Sequence, residues 1–144
     1  MSSLTGTAAR PLIRQRSTST LADFDMKEML GRGSFGSVYR AVRRATKRTY
    51  VVKQINVQLL SEEEQRDAVK EVRLMASLSH PHVVHYFDSF IDGSLLNIVM
   101  GLCDGGDLQN FLQHRGRSGG SKTKLSEPLV WHLFVQTCLG MAYM

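Results

Sequence analysis

Cysteine is scarce in this chain: Cys103 and Cys138 are the only two in 144 residues. They show neither CxxC spacing nor the density of a disulfide scaffold, so they read as reduced thiols, and a metal site has no support. Long apolar runs are missing as well. No segment approaches the ~20 residues needed to span a bilayer, and the N-terminus lacks the apolar stretch of a secretory signal, so a soluble, non-secreted, intracellular chain is expected. Acidic residues are absent from the first 22 positions, where Arg10, Arg14 and Arg16 lie among Ser and Thr. That segment has almost nothing to bury and is expected to be a disordered tail. Its composition also fits an organelle transit peptide, and Arg14 three residues before Ser17 fits a basic-directed phosphorylation site; both patterns are too loose to adopt. The formal charge of +5 is not spread over the chain: the tail and the cluster Arg115, Arg117, Lys122 and Lys124 hold seven positives, without which the balance is negative. No aromatics interleave with those clusters as they do where bases stack, so neither nucleic acid nor membrane is an expected partner.

The rest of the chain is patterned. Val38, Arg40 and Val42 alternate, and "TYVVKQI" from Thr49 to Ile55 is β-branched and aromatic, so two strands flank a basic turn at 43–48. Ser61 followed by Glu64 forms a capping box, and a helix is expected from Glu62 to Leu78, stopping before Pro81. His85 to Ile91 and Leu95 to Met100 read as a second hairpin joined through Asp92-Gly93. After the break at "GLCDGG", "DLQNFLQHR" is a short helical pattern and "GRSGGSKTK" a flexible loop. A last helix begins at Ser126 with Pro128 in its first turn, and Trp131, Phe134, Val135, Cys138, Met141 and Ala142 share one face.

The chemistry begins at "LGRGSFGSVYRAV", where Gly31, Gly33 and Gly36 surround Ser34 and Phe35. A G-x-G-x-x-G alone is weak, so context decides. The dinucleotide-binding form needs a helix after the glycines and an acid about 20 residues on. Here a strand pattern follows, and no Asp or Glu lies between Glu28 and Glu62. The Walker form needs Gly-Lys-Ser/Thr, whereas Ser37 and Val38 follow Gly36. What fits is G-x-G-x-x-G-x-V, the loop with which protein kinases cover nucleotide phosphates. Its glycines admit phosphates to the backbone amides, Phe35 at the turn beside Ser34 would exclude water, and Leu30 and Val38 would sandwich an adenine ring. A glycine-rich hairpin with an incidental aromatic is the plain alternative. Two further residues narrow the choice. Lys53 sits inside an apolar strand, where an amine is unwelcome without an anion. Glu71 interrupts the stripe Ala68, Val72, Met75 on one helix face. Either alone reads as a snorkelling charge at a core edge. Together they match a strand lysine oriented onto the α- and β-phosphates by a helix glutamate.

From about Phe24 to Met144 the chain resembles the N-terminal lobe of a eukaryotic protein kinase. Two stretches, "VVKQINVQLLSEEEQRDAVKEVRLMASLSHPHVVHYFDSF" and "LNIVMGLCDGGDLQNFL", look most like the NimA-related serine/threonine kinases. The resemblance implies ATP with Mg2+ as cofactor and protein serine or threonine as acceptor. It also implies a cytoplasmic location that extends to the cytoskeleton or nucleus. By position it makes Met100 the gatekeeper behind the adenine, Gly101 and Cys103 the hinge that reads its edge, and Asp107 the ribose-binding acid. Met75 and Tyr86 match an apolar spine between helix and sheet. Met75 and Met100 would look the same as plain core, and Asp107 would also serve as a helix cap. Val51 stands where most kinases carry Ala, which narrows the adenine pocket, and Gly101 replaces the usual hinge acid.

Two kinase elements are missing. The catalytic base and the magnesium ligands of kinases lie in H-R-D-x-x-x-x-N and D-F-G. Here His114-Arg115 runs into Gly116, and Asp23-Phe24 into Asp25 ahead of the glycine loop. The chain is therefore expected to be the ATP-binding part of a kinase, inactive alone; a non-catalytic nucleotide- or partner-binding module is the alternative. The expected architecture is α+β: a tail at 1–22, a lobe at 23–100 with about five antiparallel strands and one helix, a hinge at 101–107, and two helices of an incomplete second lobe at 108–144.

Overall fold

Strand alternation decides where everything else sits. In the computed structural model, residues 18–33, 36–117 and 125–144 are described. The elements run β1 (Phe24–Gly33), β2 (Gly36–Arg43), β3 (Thr49–Asn56), α1 (Glu62–Ser77), β4 (Tyr86–Asp92), β5 (Leu95–Met100), α2 (Leu108–Arg117) and α3 (Glu127–Tyr143). The five strands form one antiparallel sheet in the order β1-β2-β3-β5-β4.

Side chains along a strand point alternately to opposite faces. On one face Tyr50 and Val52 of β3 meet Phe24, Ala41, Phe90 and Val99 in a buried cluster. Phe24 stacks on Phe90 at 6.0 Å and meets Tyr50 edge-on at 6.3 Å. On the other face Ile55, Leu96 and Ile98 bury Ala68 and Val72 of α1, with Met75, Tyr86 and Met100 packed around them. Phe90, Val52, Leu96 and Ile98 are all but fully buried, which stabilises the fold by about 1.5–3 kcal/mol for each large side chain. One polar side chain is equally buried: Asn97 Oδ1 accepts from Gln54 Nε2 at 2.8 Å, and its Nδ2 donates to the Leu95 carbonyl at 3.2 Å.

Local chemistry sets the element ends. At the start of α1 the Ser61 hydroxyl accepts from the Glu64 amide at 3.3 Å, and the Glu64 carboxylate accepts from the Ser61 amide at 2.8 Å. The β4–β5 hairpin closes one residue later than Asp92-Gly93. Asp92 still pairs with Leu95, so the two-residue connection is Gly93-Ser94. Gly93, at φ 59°, takes the first central position that such hairpin turns reserve for glycine.

The expected tail of residues 1–22 is corrected at its end. Ser19 is buried and donates to Asp88 Oδ2 at 2.7 Å, the Leu21 amide donates to Asp92 Oδ2 at 3.2 Å, and Leu21–Asp23 makes a 3-10 turn. Two carboxylates of β4 hold this segment, a long-range tie that local composition does not reveal. Residues 1–17, with the phosphorylation pattern at Ser17, and loop residues 118–124 lie outside the described residues.

α3 is apolar on more than one side. Trp131, Phe134, Val135 and Met141 of the anticipated stripe are exposed, as are Val130 and Leu139. The helix docks through its other face, where Gly140 is buried and its position would bring a Cβ to 3.0 Å from the His82 carbonyl oxygen.

Candidate functional site

The glycine hairpin is formed by β1 and β2, with Gly31 opposite Val38 and Gly33 opposite Gly36. Its three glycines are not equivalent. Gly36 has φ 153°, and a Cβ there would lie 2.0 Å from the Gln54 carbonyl oxygen of β3, so close packing inside the sheet requires glycine. Among the described residues a Cβ on Gly31 would meet nothing within 4 Å, and one on Gly33 only the Gly36 carbonyl oxygen at 4.0 Å. Ser34 and Phe35 lie outside the described residues. Leu30, before the first glycine, is exposed, and Val38 is half-buried.

Lys53 shares its strand face with Val51 and Ile55, so it emerges on the side of the sheet that α1 covers. There Lys53 Nζ donates to Glu71 Oε1 at 2.9 Å. On α1, Glu71 precedes the buried Val72 and sits one turn after the buried Ala68, which fixes its direction toward β3. The Lys53 side chain is 23% exposed and that of Glu71 46%. Such a half-solvated pair contributes little to folding, about 0–1 kcal/mol. It joins two elements, unlike Arg66–Glu62 and Lys70–Asp67, which are neighbours along α1.

Val51, buried, pairs across the sheet with Met100, the half-buried last residue of β5. Past Met100 the Gly101 amide donates to the His85 carbonyl at 2.8 Å, tying the segment to the stretch before β4. Cys103 is exposed, and its carbonyl accepts from the Gly106 amide at 3.4 Å. Gly106, at φ 73°, turns the chain into α2. Asp107 caps that helix: Oδ1 accepts from the Asn110 amide at 2.7 Å and Oδ2 from Asn110 Nδ2 at 2.9 Å. Both carboxylate oxygens have lone pairs to spare beyond these bonds. Asp23 of the sequence Asp23-Phe24-Asp25 likewise has a local task, accepting from the Thr20 amide at 2.8 Å.

Two carboxylates of the lobe titrate low. Glu64 is lowered by the hydrogen bond from the Ser61 amide and then by the Ser61 hydroxyl. Asp25 is lowered first by its hydrogen bond with Lys27. The partners that lower them, Ser61 and Lys27, are near neighbours in the chain, so these shifts belong to the scaffold.

Sequence reasoning missed the contacts of α3 with the segment after α1. Tyr143 Oη accepts from the Ser79 amide at 3.1 Å, and the Tyr143 ring stacks on His80 at 5.0 Å. The only available signal was spacing: Leu133, Gln136, Gly140 and Tyr143 fall on one helix face, but their mixed polarity hides it.

Comparison with known proteins agrees with this geometry. Residues 24–144 match the family model described as protein kinase domain. The serine/threonine-protein kinase Nek6 of Oryza sativa subsp. japonica is 34% identical over 126 residues, 86% of this chain and 22% of that protein. Nek4 of Mus musculus is 37% identical over 117 residues, 81% of this chain and 14% of the relative. Cytokinesis protein sepH of Emericella nidulans is 33% identical over 129 residues, covering 90% of this chain and 9% of that protein. The chain thus spans under a quarter of the length of each of these three relatives. A sheet with a glycine hairpin at one edge, a strand lysine paired to a helix glutamate, and a family match from Phe24 to Met144 together establish that this chain belongs to the protein kinase family, with NimA-related serine/threonine kinases among its relatives.

Proposed function

We propose that residues 24–107 bind ATP, and that the chain is the nucleotide-binding part of a kinase that transfers the γ-phosphoryl group to serine or threonine of a protein. The observation that carries this reading is the Lys53–Glu71 ion pair at 2.9 Å. An amine held by a helix carboxylate on the covered face of a sheet is oriented to meet an anion, and contributes little to stability otherwise. The open surroundings of Gly31 and Gly33 support the same reading, because packing among the described residues does not explain those two glycines. Their amides would donate to phosphate oxygens, with Ser34 and Phe35 at the turn, while Gly36 keeps the hairpin seated on β3.

Leu30, Val38 and Val51 would enclose the adenine ring, with Met100 behind it. The Gly101 carbonyl and the Cys103 amide would read its edge, since the Gly101 amide and Cys103 carbonyl are already engaged. Asp107 would accept from a ribose hydroxyl while capping α2. Magnesium is a different matter. Among the described residues no group of three His, Cys, Asp or Glu side chains is placed to hold a metal. The partition into lobe, hinge and second-lobe helices follows from this reading, with the lobe ending at Met100. Among the described residues no helix is long and apolar enough to cross a membrane. A cytoplasmic location extending to the cytoskeleton or nucleus is part of this reading and rests on the family resemblance; one relative is named for cytokinesis.

Titration with a fluorescent ATP analogue tests the proposal. Lys53→Met should weaken binding by at least about tenfold, the loss of one charge-assisted contact to phosphate. Equal affinity in wild type and Lys53→Met would remove the central residue from the site.

A further inference from the structure

We propose that Ser19 is a site of phosphorylation by an arginine-directed serine kinase, and that the phosphate unlatches residues 18–23 from β4. The inference stands apart from nucleotide binding, since none of its residues is assigned a contact with ATP. The sequence runs Arg14-Gln15-Arg16-Ser17-Thr18-Ser19. Arg16 lies three residues before Ser19 and Arg14 five before it, a spacing that lets a carboxylate-lined substrate cleft pair with both guanidinium groups. Thr18 and Thr20 have Gln15 and Ser17 at the nearer of those positions. Ser17 has Arg14 there but lies outside the described residues. Ser19 joins the basic pattern to a contact that a phosphate must change.

That contact is a latch. Ser19 is 8% exposed and donates to Asp88 Oδ2 at 2.7 Å, while Asp88 Oδ1 accepts from the Ser89 amide at 2.8 Å, which fixes the carboxylate. Two residues on, the Leu21 amide donates to Asp92 Oδ2 at 3.2 Å and the Leu21 side chain packs on the Phe24–Phe90 cluster. A segment of one 3-10 turn tied by hydrogen bonds to side chains opens locally before the sheet does, and in the open state Ser19 is available to an enzyme. There Ser19 Oγ attacks the γ-phosphorus of ATP held by the modifying kinase. The bond from that phosphorus to the β,γ-bridging oxygen breaks, ADP leaves with its electron pair, and the hydroxyl proton passes to a base of that kinase. On return the side chain has no hydroxyl to donate, and it sets a charge of about −1.5 to −2 against the Asp88 carboxylate, with little water to screen it. Asp92 and Asp23, which accept from the Leu21 and Thr20 amides, add to the repulsion. The cations beside the segment are Arg43, over the Phe24 ring at 5.9 Å, and Arg44, whose amide donates to the Asp23 carbonyl. The latch stays open, and Leu21 leaves the cluster.

The test uses the full 144-residue chain, already folded, so that no variant has to fold for it to count. Treatment with an arginine-directed serine kinase, ATP and Mg2+ should add one HPO3 to Ser19, located by fragmentation of the tryptic peptide that follows Arg16. Hydrogen exchange over residues 18–23, referenced to β5, should then lose protection by at least about tenfold, more than the loss of one neutral hydrogen bond carries. Ser19→Ala, which removes only that bond, should lose up to about fivefold. Ser19→Asp should follow the phosphorylated chain, and adding Asp88→Asn should restore protection, because a carboxamide donates to the introduced carboxylate where Asp88 repels it. That rescue separates charge repulsion from damaged packing. A chain that takes no phosphate at Ser19 overturns the inference. So does a phosphorylated segment that stays protected, its charge neutralised by Arg43 or Arg44, and so does a Ser19→Asp loss that Asp88→Asn leaves unchanged.

Discussion

Replacing Gly36 with Ala should damage this protein far more than replacing Gly31, although both belong to one motif. At Gly36 a methyl group would sit 2.0 Å from the Gln54 carbonyl oxygen and 3.0 Å from its carbon, with the backbone at φ 153°. An ordinary contact needs about 3.5 Å, so β2 and β3 must part by roughly 1.5 Å at this point. The ladder between Ser37 and Gln54 is the first to give way. Backbone strain of about 1–2 kcal/mol and the loss of about 1 kcal/mol for each ladder bond together predict a destabilisation of about 2–4 kcal/mol. At Gly31 no atom of the described residues lies within 4 Å of the added methyl, so Gly31→Ala should change stability by less than about 0.5 kcal/mol while weakening ATP-analogue binding. Urea denaturation followed by circular dichroism, with nucleotide titration of the same variants, measures both. Equal stability losses for the two would refute the division of the motif into one packing glycine and two ligand-facing ones.

The capping box makes α1 sensitive to acid. Glu64 titrates below the ordinary glutamate range because the Ser61 amide and hydroxyl bond to it, so its contribution is fully present above that range and is lost as pH falls through the lower folded value. Thermal melts of wild type and Glu64→Gln should differ at neutral pH and converge in acid, and a constant gap would contradict the assignment. Ser61→Ala, which removes the hydroxyl half of the box, should lower stability by about 1 kcal/mol in the same melts. The exposed apolar side chains of α3, Trp131, Phe134 and Met141 among them, should drive self-association of the 144-residue chain. Sedimentation should show this, and Trp131→Glu with Phe134→Glu should suppress it; a monodisperse wild-type monomer would overturn the expectation.

What was legible in the sequence was whatever is encoded by short-range period. The alternation of "TYVVKQI" puts Val51, Lys53 and Ile55 on one face, and the spacing of Ala68, Glu71, Val72 and Met75 puts a carboxylate opposite, so the ion pair follows from two local patterns. Ser61 and Glu64 announce the helix start in the same way. Contacts between distant segments left no such trace. Ser19 bonds to Asp88, 69 residues away, and nothing in a Ser/Thr-rich stretch distinguishes that hydroxyl from its neighbours. The docking face of α3 was hidden because its contacts come from a glycine and a phenol, while most of the apolar residues that dominate the pattern are exposed. Asp107 shows the limit in another form: one carboxylate fits both a helix cap and a ribose ligand, and composition cannot rank two roles that the same atoms can fill.

The part-buried hydrogen bond between the side-chain amides of Gln54 and Asn97 bears on the amine next to it. These two residues stand directly opposite each other on β3 and β5, so their side-chain bond forms in one alignment of the strands. A slip of β3 by a single residue would turn every side chain to the opposite face, delivering Lys53 into the Phe24–Phe90 cluster and Val52 to α1. It would also strand Asn97, wholly enclosed, without its partner. A hydrophobic pair at these positions would tolerate the slip, whereas the amides penalise it. One internal polar contact on the far side of the sheet thus acts as a register key, and it is one reason the charged nitrogen emerges where Glu71 can meet it.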